Sequence, residues 1–112
     1  MVNKKRGELE ITLGSKKYQA RVTLDGIMRI EAALGKGVVK IAHSLQDADI
    51  SMLEIVNILT PVIKAGGNDV NEKDVGQAVF EAGLAEGMRV AAEILAVALQ
   101  AGNSSGNEVV AE

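Results

Sequence analysis

Few side chains in this 112-residue sequence have the types and spacing that catalysis requires. The only histidine is His43, and there is no cysteine. A serine nucleophile needs a histidine base that an acid orients, and a lone histidine on a short predicted helix is typical of a structural or solvated position. The acid pairs Glu81/Glu86 and Asp47/Asp49 fall on predicted helix surfaces or loops, where carboxylates mainly aid solubility. We therefore predict that the chain is not an enzyme.

Two loop segments resemble ligand-binding motifs only superficially. Residues 69–74 begin like a calcium loop, but Lys73 occupies the fifth position and Asp74 stands where the turn glycine is needed. The segment Gly35–Gly37 is too short to cradle a phosphate. The sequence therefore predicts no metal, no nucleotide or other cofactor, and no small-molecule substrate.

The charge balance and composition exclude several classes of partner. The chain has 12 basic and 15 acidic residues, a formal net charge of −3, and only two aromatic residues. A nucleic-acid surface needs a basic field and usually several stacking aromatics, and the basic run Lys4–Arg6 is typical of a solvated terminus. No apolar run approaches the ~20 residues of a membrane span. We expect neither nucleic acid nor membrane as partner, and a cytoplasmic location.

Alternating apolar and polar residues predict a β-hairpin from Glu8 to Val22, with Gly14 and Ser15 at its turn. Helical periodicity and capping residues predict that everything after it is helical. The predicted helices span about Leu24–Leu34, Val38–Leu45, Ser51–Ala65, Asn71–Ala82 and Leu84–Ala101. The predicted fold class is α+β, an N-terminal antiparallel β-hairpin packed on a bundle of four to five helices. Residues 1–6 form a flexible basic lead-in, 7–102 a single domain and 103–112 a disordered tail.

The last predicted helix carries more apolar residues than one packed face requires. One stripe comprises Leu84, Met88, Ala91, Leu95 and Leu99. A second stripe comprises Val90, Ile94 and Val97. Either the helix is central and almost wholly buried, or the second stripe is an exposed protein interface. We take Val90, Ile94 and Val97 as candidate partner-binding residues, and the unpaired edge of the hairpin as the alternative interface.

Several segments resemble a family of small proteins from phage tail and gene-transfer-agent gene clusters. They are K-R-G-E-L-E-I-T-L-G (5–14), Y-x-A-R-V-T-L-D (18–25), I-E-A-A-L-G-K-G (30–37), E-A-G-L-A-E-G (81–87) and A-A-E-I-L-A-V-A-L (91–99). The resemblance covers about Lys5 to Gly102. Members are usually described as tail assembly chaperones and sometimes as tail tube proteins.

The resemblance implies a small α+β protein that coats the helix-rich tape-measure protein and presents it to tail-tube subunits. It also implies that the cytoplasm is that of a bacterial host. Two alternatives remain open, namely a structural component retained in the finished tail and a small oligomeric adaptor unrelated to tails. Self-association as a homo-oligomer is compatible with each of them.

Overall fold

The computed structural model describes residues 6–106 and contains an antiparallel hairpin and five helices, which confirms the predicted α+β class. In chain order the elements are β1 (Glu8–Leu13), β2 (Lys16–Arg21), α1 (Leu24–Leu34), α2 (Val38–Gln46), α3 (Met52–Ala65), α4 (Glu72–Ala82) and α5 (Leu84–Gly106).

Helix α5 is longer than the sequence predicts. Its backbone continues from the predicted end at Ala101 to Gly106, so residues 103–106 of the predicted tail are helical. Extending an existing helix by a turn costs far less than nucleating a new one, even through residues of low helix propensity. Residues 1–5 and 107–112 lie outside the described residues, and the predicted flexibility of the lead-in and the tail stays a prediction.

The hairpin forms because a two-residue turn joins strands that each have one apolar face. Leu13 pairs with Lys16 across the turn, and the register continues to Glu8 opposite Arg21. Gly14 adopts a positive φ of 63°, which a side chain would resist. The inward side chains Leu9, Ile11, Leu13 and Ala20 are buried. A two-stranded sheet is marginal alone, so this apolar face depends on the helices beneath it.

Helices α3 and α4 begin at the capping residues that the sequence indicates. The Ser51 hydroxyl accepts a hydrogen bond from the Glu54 amide at 3.1 Å, and the Glu54 carboxylate accepts one from the Ser51 amide at 3.0 Å. Asn71 and Asp74 form the same reciprocal capping box at the start of α4. These bonds satisfy backbone donors that a helix N-terminus otherwise leaves unpaired. In the segment that begins like a calcium loop, Asn71 and Asp74 therefore cap helix α4.

Helix α3 lies at the centre of the domain. It contacts α1, α4, α5 and β2, and its buried residues are Ile55, Val56, Ile58, Leu59, Thr60, Val62 and Ile63. Thr60 is the only polar residue among the buried side chains of the described chain, and its hydroxyl donates to the Val56 carbonyl oxygen at 2.7 Å. Helix α3 runs through Pro61 without a break.

The end of α3 approaches β2 so closely that only glycine fits. A Cβ added to Gly66 would lie 2.6 Å from the Ala20 Cα and closer still to the Gln19 carbonyl oxygen. Beside it, Asn68 Nδ2 donates to Gln19 O at 2.7 Å and to Ile63 O at 2.9 Å. Close packing at Gly66 and the hydrogen bonds of Asn68 therefore hold β2 against the end of α3.

Candidate partner-binding surface

The three residues that the sequence suggests for partner binding lie in the core. Val90 and Ile94 have no exposed surface, and Val97 is 8% exposed. The expectation that these side chains are exposed is therefore wrong for the folded chain. The reason is that α5 packs against α3, β1 and α4, and these β-branched side chains share the face that it turns toward them. A partner would reach them only if α5 left the core.

The apolar surface that α5 does expose lies on its other side. Ala85, Ala92, Ala96 and Leu99 are all exposed, Leu99 by 41%. At 100° per residue these four positions fall within a sector roughly 60° wide. No charged residue interrupts this strip, so α5 presents both a buried face and an exposed apolar face.

The exposed strip forms one wall of a groove between α2 and α5. The groove has a volume of about 440 Å³ and is lined by Val39, Ala42, His43, Leu45, Gln46, Met88, Ala92, Leu95, Ala96 and Leu99. Apart from His43, none of these residues has an ionisable side chain. Val39 is 58% exposed at the rim of the groove, while small residues line the α5 wall. An apolar cleft between two adjacent helices suits the apolar face of a third helix.

A line of charged residues on α5 lies beside the exposed strip. Arg89 Nη2 is 2.6 Å from Glu86 Oε2, and Arg89 Nη1 is 3.2 Å from Glu93 Oε2. The hydrogen bond from Arg89 lowers the pKa of Glu86, and the same bond raises the pKa of Arg89. These side chains are solvated, so we assign them to solubility and helix stability.

A second groove, between α1 and α3, has a more polar lining. Its volume is about 410 Å³, and its lining includes Asp25, Arg29, Asn57, Lys64 and Glu72. Arg29 Nε is 2.7 Å from Asp25 Oδ2 in an exposed ion pair, and the hydrogen bond to Asp25 raises the pKa of Arg29. This groove combines opposite charges, and the hydroxyl of its buried lining residue Thr60 is bonded to the Val56 carbonyl, so the α2–α5 groove is the better candidate for an apolar partner.

Possible metal ligands are scattered over the described residues. Within residues 6–106, no three His, Cys, Asp or Glu side chains come together to hold a metal ion. No buried side-chain nitrogen or oxygen of this part of the chain lacks a hydrogen-bond partner. His43 is exposed on α2 at the rim of the apolar groove. None of the helices of the described chain combines the length and apolar character needed to cross a membrane. The absence of enzymatic activity stays a prediction.

Sequence reasoning missed the exposed strip because it assigned Leu99 and Met88 to the packed stripe. The signal that distinguishes the two stripes is Gly87, where an added Cβ would lie 2.8 Å from Val79 Cγ1 and 3.3 Å from Ile55 Cγ2. A glycine inside a helix marks a face of close approach. Ile94, two turns further along, lies on that same face.

Comparison with known proteins gives one match. A family model described as "Phage tail tube protein, GTA-gp10" matches residues 6–101. Searches of curated proteins and of solved structures give no significant match. The family match covers every element of the fold, including α5 up to its residue 101.

Proposed function

The chain belongs to the family described as phage tail tube protein, GTA-gp10, and we propose that it acts as a tail assembly chaperone that binds the tape-measure protein. The family match over residues 6–101 is the evidence that connects the chain with phage tails. The chaperone role goes beyond that match, and two properties of the fold support it.

The first supporting property is the helical content. Residues 8–21 form the only sheet of the described chain, and it has two strands. A subunit that builds a tube is expected to be rich in strands that continue between neighbours. A helical domain with one small hairpin is better suited to binding a partner transiently than to forming such a wall.

The second supporting property is the groove between α2 and α5. A tape-measure protein is long and helix-rich, so it presents apolar helical faces before assembly. The apolar groove and the exposed strip on α5 would cover such a face by helix packing. The strip consists of Ala85, Ala92, Ala96 and Leu99. The partner is expected to dissociate when tail-tube subunits replace the chaperone.

A role as a structural component of the tail is the second candidate, because the family description itself refers to a tail tube protein. The two roles differ in where the protein is found after assembly. A chaperone is absent from purified particles, whereas a structural component is present in fixed proportion to the tube subunits.

The test is co-expression with the tape-measure protein of the same gene cluster, followed by affinity purification. We expect the two proteins to co-purify. We also expect that mass spectrometry of purified particles does not detect this protein. Stoichiometric amounts in the particle would favour the structural role instead. Absence from both the tape-measure complex and the particle would contradict both tail roles.

The groove is tested with a matched pair of exposed alanines. Ala92 lies on the wall of the groove, while Ala32 is exposed on α1 and lines neither groove. Ala92→Glu is expected to weaken tape-measure binding at least about tenfold because it places a charge in an apolar interface. Ala32→Glu is expected to leave binding unchanged. Equal binding by both variants would place the contact elsewhere.

A further inference from the structure

We propose that the outer edge of β1 binds an extended segment of another protein, one that carries lysine or arginine at every second position and apolar residues between them. This site lies on the hairpin, and it is independent of the tape-measure role proposed for the α2–α5 groove. Three observations identify the occupant. They are the outward direction of alternate β1 backbone groups, the covered β2 edge of the sheet and the negative charges of Glu8 and Glu10.

The backbone of β1 directs every second residue outward. In an antiparallel pair, residues alternate between those that bond to the partner strand and those whose N–H and C=O groups face away. The Val22 amide donates to the Gly7 carbonyl at 2.8 Å, so Gly7 and Val22 form a bonded pair. Counting along the register from that pair, the N–H and C=O groups of Glu8, Glu10 and Thr12 face outward. Within residues 6–106, no hydrogen bond reaches these outward groups.

The opposite edge of the sheet is covered. The outward carbonyl of Gln19 accepts the bond from Asn68, and Gly66 lies against the backbone of β2 beside it. Proteins usually cover or charge a strand edge because unpaired backbone groups recruit other strands. Here one edge is covered by the α3–α4 connection, and only the β1 edge is left for strand addition.

The charge of the outward side chains selects the partner. Glu10 is exposed and Glu8 is partly exposed on the solvent side of β1, and neither belongs to an ion pair within the described residues. Residues directly opposite each other on paired strands share a face, and opposite charges there are stabilising. A strand added to this edge would place its solvent-side residues against Glu8 and Glu10. Basic residues at those positions are therefore favoured.

Strand β2 shows that β1 accepts this chemistry. On the solvent side it places Arg21 opposite Glu8, Lys17 opposite Thr12 and the uncharged Gln19 opposite Glu10, and on the other side Ala20 is buried. Because β1 presents the same side chains to both of its edges, the free edge suits a strand with the same alternation of basic and apolar residues.

A second copy of the chain suits this edge less well. Pairing two β1 strands would bring the glutamates of one copy alongside those of the other, and like charges across strands are destabilising. The β2 strand of a second copy has its own outer edge covered by Gly66 and Asn68. The occupant is therefore a different polypeptide.

The probe for this site is a synthetic peptide with the sequence of residues 16–22, KKYQARV, blocked at both ends. Its control peptide carries Lys17→Glu and Arg21→Glu. We expect the basic peptide to bind the full chain and to shift the backbone amide NMR signals of Glu8, Glu10 and Thr12. The acidic peptide is expected to bind at least about tenfold more weakly. No shifts at these amides with millimolar basic peptide, or equal binding of the two peptides, would overturn the proposal.

Two variants of the chain separate side-chain from backbone recognition. The variant Glu10→Lys changes one solvent-side charge opposite the uncharged Gln19, so it should fold normally and remove the preference for the basic peptide. Glu10→Pro removes an outward N–H that the hairpin does not use, and proline is tolerated at strand edges. It is expected to weaken basic-peptide binding at least about tenfold.

Sedimentation equilibrium of the wild-type chain and of Glu10→Pro tests the second copy as occupant. A wild-type dimer that Glu10→Pro abolishes would show that a second copy occupies the edge and would overturn the proposal for a basic partner. If the wild-type chain and Glu10→Pro are both monomers, the result supports the proposal for a basic partner. If Glu10→Pro loses the helical circular dichroism of the wild type, the charge-reversed variant still decides the outcome.

Discussion

Replacing Ile94 by alanine distinguishes a core position from a binding position. The side chain has no exposed surface, and the substitution removes three carbon atoms. At about 0.8 kcal/mol for each buried methylene, the lost transfer free energy is about 2.4 kcal/mol. The cavity left behind brings the expected loss of unfolding free energy into the range of about 2–5 kcal/mol. For a domain of this size, the melting temperature should fall by about 10 °C or more.

Leu99→Ala is the matched control because it also removes three carbon atoms from α5. Leu99 is 41% exposed and lines the α2–α5 groove, so the loss of unfolding free energy should be only roughly 1.4 kcal/mol. Its binding to the tape-measure protein should weaken, whereas folded Ile94→Ala at low temperature should bind normally.

Urea unfolding followed by circular dichroism gives both free energies, and affinity purification gives the binding. The reasoning is refuted if Ile94→Ala unfolds at the wild-type urea concentration and has lost partner binding. In that case the stripe of Val90, Ile94 and Val97 would be the interface, as the sequence first suggested.

Three further predictions concern the hairpin attachment, the charged residues of α5 and a helix cap. Gly66→Ala should destabilise the fold by more than about 3 kcal/mol in urea unfolding, because its Cβ would meet the backbone of β2. Gly37→Ala should be nearly neutral, since the nearest atom to its Cβ is 3.7 Å away; similar losses in the two variants would contradict the close approach. Glu86 should titrate by NMR below the ordinary glutamate pKa, and Arg89→Ala should return the pKa to its usual range. Because the folded-state pKa is lowered, the stabilising contribution of this pair is present at neutral pH and is lost as the pH falls through the folded-state pKa. Ser51→Ala should lower the unfolding free energy by about 1 kcal/mol in urea unfolding, and a neutral effect would show that the capping box contributes nothing.

Local signals predicted the elements of this fold well. The alternation in β1, the turn at Gly14 and the capping boxes at Ser51 and Asn71 each depend on residues within a few positions of one another. Short-range hydrogen bonds and hydrophobic periodicity determine such features, and both can be read from one sequence.

The face of α5 that is buried could not be predicted in the same way. Both stripes are apolar, and the choice between them depends on where α2, α3 and the hairpin pack. Val90 and Ile94 are fully buried, while Leu99 borders the groove beside α2. The coverage of the β2 edge could not be predicted from the sequence either, because the hydrogen bond between Asn68 and Gln19 joins residues 49 positions apart.

The central position of α3 also sets the order in which the chain is able to fold as it leaves the ribosome. The hairpin is synthesised first, yet its buried face packs on helices that begin at Met52, Glu72 and Leu84. An isolated hairpin is marginally stable, so β1 and β2 remain unprotected until α3 and the helices after it have been made. Contacts between distant parts of a chain form slowly because they close long loops. The negative charges of Glu8 and Glu10 therefore disfavour pairing of β1 with the β1 strand of another nascent chain until α3 has been made.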